Sequence, residues 1–140
     1  MATLAPSAAP LPPASLWAGR VLSGLVIAFL VFDAGLKIAQ LEVVGTTALT
    51  LGWTDDLGFW RGLGLLLLAC TALYAWPRTA LLGAVLLTGY LGGAIATHVR
   101  IGNPLFSHTL FGVYLALMLW AGLWLRNPAL RAILPLSHKD

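Results

Sequence analysis

Charge is what this sequence has least of. Eight Lys and Arg and five Asp and Glu make only 9% of 140 residues charged, where a soluble domain carries about a quarter. A chain with so little polar surface cannot cover a folded core in water, so a soluble globular domain is excluded. Cysteine is nearly missing as well. Cys70 stands alone, which leaves no disulfide framework, CxxC pair or zinc-ligand set within one chain. Set in an apolar run, it reads as a small buried packing residue. The formal net charge is +3, yet the basic residues are scattered singly and form no patch, which excludes a nucleic-acid interface. In a membrane protein such a basic excess reports orientation instead. No phosphate loop is present, nor a Ser/His/Asp set with a plausible oxyanion site.

Apolar residues fill the space left by charge: 59% of the chain, at a mean hydropathy of +0.89. Spanning a bilayer takes about 20 residues of helix, and four segments qualify, at 16–39, 57–76, 79–98 and 105–125. The expected fold is therefore an all-α integral membrane four-helix bundle occupying 16–126. Residues 1–15 read as a disordered Ala/Pro-rich tail, and 127–140 as a basic tail. No signal-type cleavage pattern follows the first apolar run, which is expected to stay as a mature helix. The uncharged core of the first span is short, but Arg20 can snorkel at one end. Asp33 and Lys37, spaced i,i+4, share a face near the other and can neutralise each other. Pro77 punctuates a very short turn between the second and third spans, where proline suits the first turn of a new helix. Between the first two spans, Leu41, Val44, Ala48 and Leu51 could form one face of a short surface helix, a reading weakened by Thr46, Thr47 and Thr50.

An even number of spans puts both termini on one side. That side collects Arg20, Arg78, Arg126, Arg131 and Lys139, and the other has Lys37, Arg61 and Arg100. Since Lys and Arg concentrate on the cytoplasmic side, both termini are expected to be cytoplasmic. The third span is rich in small residues. Gly89/Gly93, Gly58/Gly62 and Gly112/Ala116 are steps at the four-residue spacing that lets backbones approach in lipid. They serve either contacts within the bundle, the preferred reading, or a homo-oligomer interface.

The same topology gathers polar residues at the outer ends of the helices: Asp33, Lys37, Arg61, His98, Arg100, Asn103 and His108. Ionisable groups inside a span are costly and default to a functional hypothesis. Asp33 is the best case, about a turn inside its helix. His98 and Arg100 lie about 200° apart around theirs, so only one is expected to face the bundle. The cluster could fix helix ends and bind lipid headgroups, line a ligand pocket, or meet a membrane protein partner. His98 with His108 lacks an assured third ligand, so no metal is expected.

Two strings carry a resemblance: FDAGLKIAQ at the end of the first span, and TGYLGGAIATHVRIGNP closing the third. With the stretch from Pro77 to Pro135, they resemble the DoxX-like family of small bacterial membrane proteins over nearly the whole chain after the tail. The resemblance implies a four-helix membrane fold in the bacterial inner membrane. It carries the family's polar motif onto Asp33, Lys37, His98, Arg100 and His108. Relatives look like subunits linked to quinone-dependent oxidation of sulfur compounds, or like parts of oxidant-defence assemblies. Members often carry a Glu just before a Leu-Ala-Cys string, but here Leu67 precedes Leu68-Ala69-Cys70. The expectation is a non-catalytic or accessory protein without a cofactor, presenting its outer cluster to a lipid-like molecule or a partner. The alternative is a quinone-linked membrane oxidoreductase or its membrane subunit.

Overall fold

A computed structural model describes residues 11–134 of the chain. Its elements are α1 (Pro13–Ile38), α2 (Glu42–Thr50), α3 (Leu57–Ala75), α4 (Ala80–Arg100), a π-helical turn (Leu105–Thr109), α5 (Phe111–Arg126) and α6 (Pro128–Ile133). Helix and turn account for every regular element among the described residues. Four helices are long and apolar enough to cross a membrane: α1, α3, α4, and the π turn continued by α5.

Each span is a helix for local reasons. Pro13 starts α1 at a position where its missing N–H costs nothing, so the helix begins inside the stretch read from sequence as tail. At about 1.5 Å per residue its 26 residues exceed the hydrocarbon thickness, which leaves room for Arg20 and Lys37 near the two ends. Gln40, at φ 55°, closes α1 and turns the chain into α2. Asp56 caps α3, its carboxylate accepting from Gly58 N at 2.9 Å. Asn127 caps α6 by accepting from Ala129 N and Leu130 N. A short helix therefore stands where the sequence reads as a tail. Residues 1–10 and 135–140, the rest of the two expected tails, lie outside the described residues.

The bundle is a four-membered ring. α1 packs against α3 and α5, and α4 packs against the same two. The core follows the helical repeat: Val26, Leu30 and Ala34 from α1, Leu67, Cys70 and Tyr74 from α3, Ala84, Leu87 and Leu91 from α4, and Leu115, Leu119 and Leu123 from α5. These are every third or fourth position, which is one stripe per helix. The remaining faces carry exposed Leu, Val and Phe, the surface that lipid would cover.

The end of the bundle opposite the polar cluster is tied by hydrogen bonds. The fully buried Tyr74 hydroxyl donates to Leu119 O at 2.8 Å and pairs with Ser23 Oγ at 2.9 Å. Arg126 donates from Nε to Ser23 Oγ and from Nη2 to Tyr74 O, so one cluster joins α1, α3 and α5. Arg131 of α6 donates to Ser15 Oγ and to Trp124 O, and its guanidinium lies over the Trp124 ring. Close approach at this end depends on Gly83, where an added Cβ would lie 2.2 Å from Tyr74 N.

The small-residue steps divide in their use. Gly112 meets the Ile95 side chain inside the bundle, as preferred from sequence. A Cβ at Gly89 or Gly93 would meet nothing within 4 Å, nor would one at Gly62, and Gly58 meets only its own cap, Asp56. The α4 step is therefore not spent on helix packing. It borders the pocket described next.

Candidate functional site

At the polar end α2 joins the four spans around a shared volume. The result is a pocket of about 550 Å³, within the range typical of small-molecule sites. Its walls come from α1 (Phe29, Leu30, Asp33, Lys37), from α3 (Phe59, Trp60, Leu63), and from α4 (Gly89, Tyr90, Gly93, His98). The π turn and α5 add His108, Phe111 and Leu115. Val43, Val44, Thr47 and Ala48 of α2 close it over, followed by Leu51 and Trp53.

The seven candidate residues divide into pocket and frame. Asp33, Lys37, His98 and His108 line the pocket together. Lys37 donates to Asp33 one helical turn away, forming an ion pair that is partly buried. The His98 and His108 rings meet edge to face with centroids 5.9 Å apart. Asn103 supports this wall from behind: its Nδ2 donates to His98 Nδ1 at 2.7 Å, which leaves the proton of a neutral ring on Nε2. His108 Nδ1 is engaged by Ser107 Oγ at 2.8 Å.

Arg100 and Arg61 belong to the frame. Arg100 donates from Nη2 to Leu51 O at 2.8 Å, holding the carbonyl end of α2. The adjacent Gly52 sits at φ 69°, and a Cβ there would lie 3.2 Å from the Arg100 guanidinium, so glycine suits both the turn and the contact. Arg61 reaches the last carbonyl of α1, donating from Nε to Ile38 O at 3.4 Å. His98 thus lines the pocket while Arg100, two residues on, turns to the end of α2.

Three parts of the site were missed from the sequence. The first is the role of α2: the apolar face through Val44, Ala48 and Leu51 was legible, but not that it roofs a pocket. The second is Tyr90, which lines the pocket in the middle of α4. It stands inside the quoted TGYLGGAIATHVRIGNP string, and a polar ring between small residues in a span was the available signal. The third is the π turn, set by the bond from Leu110 N to Leu105 O at 2.8 Å. Such widened turns recur at functional sites, and this one carries His108.

The aromatic wall is ordered by its own contacts. Trp53 stacks on Phe59 at 5.8 Å, Phe59 meets Trp60 edge on, and Phe29 meets Phe111 across α1 and α5. Trp60 Nε1 donates to Thr54 O at 2.7 Å, which fixes the connection between α2 and α3. Chemically, the arrangement offers one neutralised ion pair and two imidazoles at one edge of an apolar volume, with a phenol further along α4. No group of three His, Cys, Asp or Glu that could hold a metal ion gathers among the described residues. Leu67, the position where the resemblance expects a Glu, is fully buried in the core.

Comparison with known proteins returned one result. No curated protein and no solved structure matches the chain significantly. The model of the DoxX-like family, however, matches residues 21–122, from the first span through most of α5. With four apolar membrane-crossing helices and a family match over well more than half its length, the chain is a multi-pass membrane protein that belongs to the DoxX-like family.

Proposed function

We propose that this protein is a non-catalytic binding protein of the bacterial inner membrane that holds an amphipathic, lipid-like molecule under α2. The observation that carries the reading is the pocket itself, apolar and aromatic over most of its wall and polar at one edge, roofed by a separate short helix. A membrane amphipath has that same division. The carboxylate and both imidazoles each have a structural partner: Asp33 has Lys37, His98 has Asn103, and His108 has Ser107. This supports holding a ligand over turning it over. In this reading the termini are cytoplasmic and the pocket faces the extracytoplasmic side. The basic excess of Arg20, Arg78, Arg126 and Arg131 at the opposite end supports that orientation.

Solvent extraction of the purified protein followed by mass spectrometry tests the proposal. The expected result is one amphipath at near-stoichiometric yield, reduced in Gly93→Leu, which fills the pocket from α4. Bulk phospholipids alone, in equal amount from both proteins, would sink it. Recovery of a redox-active lipid such as a quinone would favour the quinone-linked reading instead.

A further inference from the structure

We infer that the pocket selects amphipaths whose polar head is uncharged, a hydroxyl or carbonyl head and not a phosphate, carboxylate or ammonium. The inference rests on the binding reading above and adds the ligand's charge class. Asp33 and Lys37 are the acidic and basic residues among the pocket's lining, and they are bonded to each other. The other nearby cations, Arg100 and Arg61, turn to Leu51 O and Ile38 O and do not line the pocket.

An anionic head entering this volume would lose its hydration and would need a free cation in return. Lys37 could serve only by leaving Asp33, which would strand a carboxylate against Phe29 and Leu30, its neighbours in the α1 wall. A cationic head meets the mirror problem, since taking Asp33 strands Lys37. An uncharged head disturbs neither. Its oxygen can accept from His98 Nε2–H, whose proton is set there by Asn103 Nδ2, while the Tyr90 phenol lines the same pocket further along α4. Gly89 and Gly93, with open space where side chains would stand, leave a smooth strip of α4 for the alkyl chain.

Native mass spectrometry of the full chain released from detergent micelles tests this with three probes of matched C18 chain: monoolein, oleic acid and oleylamine. Monoolein is expected to form a 1:1 adduct at least about tenfold more than either charged probe, the discrimination a buried unpaired charge commonly imposes. Asp33→Asn removes the internal counter-ion and frees Lys37. It should raise oleate binding relative to monoolein by about tenfold or more. Gly89→Leu should lower all adducts, because a side chain there extends into the open space beside α4. Preferential binding of oleate or oleylamine by the unmodified chain, or equal binding of all three, would overturn the charge inference and leave the pocket reading standing. No adduct with any probe, or adducts insensitive to Gly89→Leu, would overturn the pocket reading itself.

Discussion

Tyr74 is fully buried yet keeps its hydroxyl satisfied, bonded to Leu119 O on α5 and to Ser23 Oγ on α1. Tyr74→Phe removes both bonds and keeps the packing. Ser23 retains Arg126 as a partner, so the expected loss is about 1 kcal/mol, read as a lower midpoint of thermal unfolding in detergent; an unchanged midpoint would mean the cluster adds nothing. Gly83 carries a steeper demand. The Cβ of Gly83→Ala would lie 2.2 Å from Tyr74 N and 2.5 Å from its Cα, so backbone must move, at about 1–3 kcal/mol. Gly92→Ala is the control on the same helix, since nothing lies within 4 Å, and it should unfold at the wild-type temperature or slightly above. Equal midpoints for the two variants would contradict the close approach of α3 and α4.

Among the elements, α2 is the least anchored. Ala48 is buried, but the helix packs on the bundle chiefly through the pocket wall. It is held at its ends by Arg100 on Leu51 O and by Gln40 Nε2, which donates to Leu57 O at 3.2 Å. Elements with few close contacts open at low free energy. Arg100→Gln shortens the side chain and removes its charge, so amides over 42–51 should exchange with deuterium markedly faster while those of α3 and α4 stay unchanged. Exchange rising evenly over the molecule would point to general destabilisation instead of a released roof. The i,i+4 spacing of Asp33 and Lys37 made their pair legible from sequence, because both sit on one helix with a fixed repeat. The roof was not legible, because an apolar face on a short helix does not say which surface it will cover.

Over the whole molecule the two ends differ in kind. One end is closed by Tyr74, Ser23, Arg126 and Arg131, and the other opens into a pocket. Cys70 is buried between the helices, so a single introduced cysteine can report topology without interference. With the proposed orientation, a membrane-impermeant maleimide should label Asp55→Cys in intact cells and label Pro77→Cys only after lysis. The reverse pattern would invert the molecule and place the pocket on the cytoplasmic side. The hydrogen bonds at both ends join residues far apart in the chain. Arg126 reaches Ser23 across 103 positions and Arg100 reaches Leu51 across 49. Helix periodicity says nothing about such pairs, which is why the basic end read from sequence as scattered charges.

What the chain's own chemistry decided is the fold class. Scarce charge and four apolar runs of bilayer length leave helices as the economical way to satisfy the backbone in lipid, and each core stripe follows from 3.6 residues per turn. The sequence also decided that the polar residues near Asp33 and His98 would share one end, since that depends only on counting spans. Tertiary structure decided the rest: that α2 folds back over the helix ends, that a π turn carries His108 beside His98, and that Gly89 and Gly93 border open space while Gly83 and Gly112 are packed. Each depends on the relative placement of separate helices, set by packing between surfaces that no local repeat encodes.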